Sequence, residues 1–329
     1  MTSHTTPSNP FTQFKGHETQ LKADDQFDEA FHRWSQPELD ALALAWAARR
    51  PLLVRGEPGS GKSQLARAAA ALLQAGPPLV QVIHPRFEPR DLLYRYDTLR
   101  RLSDANAQGS LKPDGDYVKE GVLWRAFEKA RHPDARVTLL IDEIDKADAD
   151  VPNSLLDVLG HRSFKVDEAP DKPTPKPAPG IMPLIIITTN EERELPAAFV
   201  RRCVVLNLNP PSDDAGLLAW LKARVDVHKP VLQNLAPTVV DRALRQVLAD
   251  RADARRAGYP PVGLAEALDL LTALANITAH VPEEQREAEQ NHWLDRLSAY
   301  ALVKNATTDP GQRRPPVAAP KNPTHTQPD

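Results

Sequence analysis

The chain has 329 residues, 41% of them hydrophobic and 26% charged, which gives room for two domains with buried cores. A net charge of −3 and a pI near 6.4 argue against a protein built for bulk nucleic-acid binding, although a local basic surface stays open. A single cysteine, Cys203, excludes an intrachain disulfide framework; no signal-peptide core opens the chain and no apolar run reaches a membrane span of about 18 residues, so a cytoplasmic protein is expected.

In chain order, residues 1–24 are polar and show no apolar period, which predicts a flexible N-terminal arm. Short apolar runs then follow at 52–54, 79–83, 137–141, 184–188 and 204–208, without the alternation of half-exposed strands, and so predict strands buried on both faces. Helical patterns lie between most of them, as at 63–74, which ends at Gly76-Pro77-Pro78. Strand–helix alternation over 25–210 predicts an α/β domain with a mostly parallel five-stranded sheet and flanking helices. A Pro-rich stretch at 168–180 interrupts it as an extended loop. After Pro210-Pro211 strand signals vanish, and helical patterns near 213–227, 237–254, 263–280 and 283–304 predict a small α-helical lid domain over 211–304. Residues 305–329 are Pro-rich and poor in large apolar side chains, the composition of a disordered tail.

The first chemical signal is Gly56-Glu57-Pro58-Gly59-Ser60-Gly61-Lys62-Ser63, set between a strand and a helix as the G-x-x-x-x-G-K-[ST] pattern requires. Glycines let the backbone wrap a phosphate chain, so that N–H groups and the helix N-terminus face the anion. Lys62 supplies charge for the β- and γ-phosphates of ATP, and Ser63 offers a hydroxyl to Mg²⁺. Gln64, next in line, joins the nucleotide-contacting set. The bare pattern arises by chance in about one chain in a hundred of this length, and its strand–loop–helix setting makes chance rarer still.

Downstream, the apolar run 137–141 ends in Asp142-Glu143, at the strand end where parallel sheets bind ligands. Asp142 is placed to hold Mg²⁺, and Glu143 to orient and polarise the attacking water. Alone, such a pair is more often a polar strand end; a phosphate loop upstream reverses the odds. The run 184–188 leads to Thr189-Asn190, and Asn190 is placed to reach between the γ-phosphate and the lytic water, although an Asn after a strand is more often a turn former.

The segments GEPGSGKS, LLIDEIDKAD and IIITTNEERELPAAFVRRC, followed by a helical domain, resemble AAA+ ATPases, and are most similar to the MoxR-like group. Arg50-Pro51-Leu52-Leu53-Val54 and Glu120-Gly121-Val122-Leu123-Trp124 add to that resemblance, which spans roughly 25–305. It implies a hexameric ring with ATP between subunits, in which Asn190 matches the sensor-1 residue. Arg202, at the opening of the fifth strand, matches an arginine finger offered to the neighbour's γ-phosphate, with Arg201 a second candidate. It also implies a chaperone-like remodeller of protein substrates, from a group that often works with a von Willebrand factor A partner on a separate chain. The stretch 260–266, where a sensor-2 arginine would stand, has none.

Within the α/β domain, an insert at about 86–120 carries Arg90, Tyr94, Arg95, Tyr96, Arg100 and Arg101, a set suited to gripping polypeptide or nucleic acid, although a solvated helix face is the commoner reason for such a cluster. The Pro-rich loop 168–180 occupies the place of a pore-facing hairpin in the related group, or serves as a spacer. His84 and His132 show no metal-ligand spacing, and Cys203 is expected to be buried. Two rival functions remain: a nucleic-acid-acting motor or loader, against which the acidic balance counts, and a nucleotide-gated switch with little turnover.

Overall fold

A computed structural model describes residues 9–302 apart from 26, 109, 110, 171 and 174; the first part of the expected arm and the Pro-rich tail therefore lie outside the described residues. The strands are β1 (Glu18–Leu21), β2 (Ala30–Arg33), β3 (Leu52–Arg55), β4 (Leu79–Val82), β5 (Tyr94–Tyr96), β6 (Val118–Glu120), β7 (Thr138–Asp142), β8 (Leu184–Thr189) and β9 (Val204–Asn207). Five of them form a sheet in the order β4-β7-β8-β3-β9, with every neighbouring pair parallel.

The two-sided burial of this sheet follows from its sequence. Along β3, β7 and β8 alternate residues point to opposite faces. Leu53, Leu139, Ile141, Ile185 and Ile187 enter one core, while Leu52, Val54, Leu140, Leu184 and Ile186 enter another. Helices Val122–Lys129 and Asp150–His161 cover the first face through Leu123, Phe127, Val151 and Leu155. Gln36–Ala48 and Lys62–Leu73 cover the second through Leu39, Leu42, Leu65 and Leu73. Buried alanines 66, 68, 69 and 70 let the second of these helices pack close to the sheet. The expectation of burial on both faces fails at the edges. Val82 of β4 and Val205 of β9 are exposed because each strand has a neighbour on one side only.

The expected arm is corrected over 9–24. Asn9 caps a short helix, Pro10–Gln13, by accepting the Phe11 N–H at 3.1 Å, and β1 pairs antiparallel with β2. Three widely spaced residues do the anchoring: Phe11 edge-on to Trp46, Phe14 to Trp34, and Leu21 in the core. Their spacing gives no period, so pattern alone missed them.

The insert forms the antiparallel pair β5–β6 with helix Thr98–Gln108 between its strands. At its return, a Cβ on Gly121 would stand 2.5 Å from the Leu92 carbonyl oxygen, so only glycine fits. Its aromatic-basic residues are largely paired with neighbouring carboxylates. Arg95 meets Asp91 at 2.6 Å, Arg101 and Tyr96 both meet Asp114, and Arg90 stacks on the Tyr94 ring while pairing with Glu168. That is the solvated, internally compensated reading of the cluster. Within the Pro-rich loop, Ala169, Pro175 and Pro177 are buried and the Ala178 N–H donates to the Ala130 carbonyl, so the loop is packed down.

The described residues divide into two compact units on either side of Asn209, with Pro58–Ser60 grouping with the second. That second unit consists of helices Asp214–Val227, Lys229–Leu232, Pro237–Arg256, Leu264–Ile277 and Glu283–Ala301 around Leu221, Val239, Leu244, Leu271 and Leu274. Gln290, fully buried, ties three of them by accepting the Ala236 N–H at 3.0 Å and donating to Asn234 O at 2.8 Å and Thr278 Oγ1 at 3.2 Å. Helix Leu264–Ile277 starts from Gly263, whose N–H is capped by Glu266 at 2.9 Å. No helix among the described residues is long and apolar enough to cross a membrane.

Candidate nucleotide site

The phosphate loop begins where β3 ends. Gly59 and Gly61 adopt φ of +72° and +95°, conformations that side-chain-bearing residues rarely take. Gly61 is the N-cap of helix Lys62–Leu73, so the first free N–H groups of that helix open onto the loop. Lys62 is buried to 7% exposure and its ammonium is threaded through the loop. It donates to Gly56 O at 2.8 Å, Glu57 O at 2.9 Å and Asn190 Oδ1 at 2.7 Å. Burial pushes the Lys62 pKa down, and the carboxylates of Asp142, Asp145, Glu143 and Glu57 partly oppose that shift.

β7 delivers the acids to the same sheet edge. The Ser63 hydroxyl donates to Asp142, with Oδ1 at 3.0 Å and Oδ2 at 2.9 Å. Thr188, wholly buried near the end of β8, donates its hydroxyl to Asp142 Oδ1 and accepts the Glu143 N–H at 2.9 Å. Glu143 itself stands at φ +58°, a left-handed conformation uncommon outside glycine. Asn190 links the two halves: while its Oδ1 receives Lys62, its Nδ2 donates to Glu143 Oε1 at 3.3 Å. Sheet order explains this. β8 lies between β3 and β7, so the residue that follows it falls between the phosphate loop and the acid pair.

Asp145, only 1% exposed, secures that residue from behind. Its Oδ2 accepts the N–H groups of Asn190 at 3.1 Å and Glu192 at 2.9 Å, while Oδ1 is buried without a hydrogen-bond partner. Sequence reading missed Thr188 and Asp145. A hydroxyl in an otherwise aliphatic buried strand, and the second Asp of Asp142-Glu143-Ile144-Asp145, were the available signals.

Of the predicted site residues, Lys62, Ser63, Asp142, Glu143 and Asn190 are brought together; others are not. The Gln64 side chain turns away and donates to Phe31 O at 2.6 Å, holding β2. Arg201 and Arg202 occupy the last turn of helix Ala197–Arg202, not the opening of β9, because that helix runs up to Cys203. Both arginines are exposed, and Arg202 makes no side-chain hydrogen bond or ion pair among the described residues. Arg201 lines a cavity of about 540 Å³ with Arg55, Glu191, Arg193 and Glu194.

The donors suit Mg²⁺. That ion takes one or two carboxylates together with hydroxyl, water and phosphate oxygens, and Ser63 and Asp142 present hard oxygens 2.9 Å apart. Among the described residues no group of three or more His, Cys, Asp or Glu is arranged to hold a metal alone. Water and phosphate oxygens would complete the shell.

Residues 51–203 match the AAA domain family, dynein-related subfamily. This part of the chain is similar to an AAA domain. The matched stretch runs from the start of β3 to the end of helix Ala197–Arg202 and contains the whole cluster above. Its parallel sheet, phosphate loop and following helical region make the P-loop AAA+ fold, a nucleotide-binding architecture. No curated protein matches the chain. Similar solved structures include a protein provisionally described as an ATPase from Cytophaga hutchinsonii, 16% identical over 80% of this chain and 79% of that one, with a TM-score of 0.34. NtrX from Brucella abortus is 18% identical over 76% of this chain and 52% of its own, with a TM-score of 0.43. The same protein in complex with ADP is 18% identical over 83% and 50%, with a TM-score of 0.38. The chain thus spans about half the length of NtrX.

Proposed function

We propose that the protein hydrolyses ATP with Mg²⁺ as a MoxR-like AAA+ ATPase, working as a hexameric ring in the cytoplasm. The observation that carries the reading is the continuous hydrogen-bonded line Lys62–Asn190–Glu143 beside the Ser63–Asp142 pair. It gathers in one place a phosphate-binding cation, a metal-holding hydroxyl and carboxylate, and a carboxylate able to polarise water.

In this reading the residues of the loop 56–63 wrap the phosphates, and Lys62 trades its carbonyl partners for phosphate oxygens. Ser63 and Asp142 would hold Mg²⁺, which when bound would neutralise charge on the phosphates. Glu143 orients the attacking water, and Asn190 positions that water against the γ-phosphate. Arg202, unpaired and exposed at a helix end, is supplied to the site of a neighbouring copy, where a guanidinium stabilises charge that develops on the transferred group. The work drawn from hydrolysis is the remodelling or assembly of protein partners, including von Willebrand factor A domains on separate chains.

The test is ATP turnover per subunit measured across a wide range of protein concentration, with Arg202→Ala in parallel. A steep rise with concentration that the substitution abolishes is the expected result. A concentration-independent rate untouched by Arg202→Ala overturns the shared site, and turnover unaffected by Glu143→Gln overturns the role of Glu143.

A further inference from the structure

Helix Ala197–Arg202 ends with the carbonyls of its last turn unpaired within the helix, as every helix does, and with the negative end of its dipole there. One side chain meets the last two of them, while the Cys203 thiol meets Phe199 O at 3.4 Å. Arg50 donates from Nε to Arg202 O at 2.9 Å and from Nη2 to Arg201 O, a fork across two successive carbonyls from a position 152 and 151 residues away.

Arg50 is itself held from several directions. Its N–H donates to Ala45 O at 3.0 Å at the end of helix Gln36–Ala48, after Arg49 has turned the chain at φ +54°. The next residue, Pro51, gives its carbonyl to the Val204 N–H at 2.8 Å, the first bond of β9. The segment 201–204 is thus gripped on both sides by Arg50-Pro51, the dipeptide that opens β3 and leads to the phosphate loop. Among the described residues no ion pair joins Arg50, Arg201 or Arg202 to a carboxylate. The Arg50 guanidinium is committed to backbone carbonyls, and the exposed Arg202 side chain makes no hydrogen bond or ion pair among the described residues.

We infer that Arg50 is a positioning residue, fastening the helix end that presents Arg202 to the ATP bound by a neighbouring copy. The inference rests on the reading of Arg202 as an arginine supplied between subunits. Arg50 contacts no reacting atom. Its fork restricts where the Arg202 main chain stands, and displacement of a catalytic group by about 1 Å costs on the order of 10²-fold in rate.

The experiment is complementation between variants that are each inactive. Glu143→Gln subunits keep an intact Arg202 but have a dead site of their own; Arg50→Ala subunits keep an intact site but misplace Arg202. Each alone is expected to turn over about 10²-fold more slowly than the parent, with Arg50→Ala keeping the parent's affinity for ATP. Mixed, they regain activity, because an Arg50→Ala site can face the Arg202 of a Glu143→Gln neighbour. A mixture that stays dead shows that Arg50 acts on its own subunit's loop through β3 and overturns the inference. Arg202→Ala mixed with Glu143→Gln runs alongside: failure of that pair sinks the shared site itself, whereas its success with failure of the Arg50 pair sinks only the role of Arg50. Arg50→Gln, which can still reach one carbonyl, serves where Arg50→Ala does not fold. It is expected to fall between parent and alanine, and parental turnover in Arg50→Gln together with Arg50→Lys, neither of which can make the fork, would also refute the role.

Discussion

Thr188→Val is the sharpest perturbation of the candidate site, because it changes shape little and removes one hydroxyl that serves two masters. Thr188 Oγ1 accepts the Glu143 N–H at 2.9 Å and donates to Asp142, and the residue is wholly buried. Valine leaves the N–H without an acceptor, at about 1–3 kcal/mol, and deprives a carboxylate of a donor, at about 1.5–3 kcal/mol. The two losses share one group and do not simply add. A destabilisation of about 2–4 kcal/mol is expected in urea unfolding of the variant. Catalysis suffers separately. Glu143 occupies a left-handed conformation that costs about 1–3 kcal/mol to hold, and the bond to Thr188 helps hold it. If only the 1–3 kcal/mol of that N–H bond is felt in the transition state, turnover at saturating ATP falls about 5- to 150-fold. Thr188→Ser keeps the hydroxyl and is expected to stay within a few-fold of the parent. Steady-state ATP hydrolysis at 25 °C, on protein shown by circular dichroism to be folded, measures the effect. A Thr188→Val protein that turns over at the parental rate would refute the argument that this hydroxyl holds the acid pair in place.

Two further outcomes follow from the same geometry. Asp145→Ala removes the acceptor of the Asn190 and Glu192 N–H groups, so unfolding should become easier by about 2–4 kcal/mol and turnover should drop with ATP affinity little changed; Asp145→Asn, which retains an oxygen for both, should recover most of the stability. Burial pushes the Cys203 thiol up to about 12, with Arg50 and Arg55 opposing the shift. The folded chain therefore keeps that proton while the unfolded chain loses it above about 9, so stability falls with rising pH across that window, by about 1.4 kcal/mol per pH unit from this group. Unfolding free energies from pH 8 to 10.5 for the parent and Cys203→Ala should diverge above pH 9; parallel curves would mean that the thiol titrates freely in the folded protein.

What was legible in the sequence was local. Three hydrophobic strands, β3, β7 and β8, announced themselves because a strand covered on both faces must be apolar at every position. The phosphate loop did so because its backbone conformation demands glycine at 59 and 61. Lys62, Ser63, Asp142 and Glu143 stood out because they follow those elements directly. The groups that hold these residues in place were not legible, and the reason is distance along the chain. Thr188 is 46 residues from Asp142, and Arg50 is 152 from Arg202. No periodicity connects them; the sheet order does, with β7 beside β8 and β3 beside β9. The left-handed Glu143 illustrates why such remote partners exist. Its conformation is unfavourable for a residue with a side chain, so nothing in the adjoining sequence can stabilise it cheaply. The compensation comes from across the sheet, from a buried hydroxyl that a purely apolar strand would have lacked. A strained acid at the end of one strand and a polar break in the strand beside it are therefore two halves of one arrangement, and neither half is interpretable without the other.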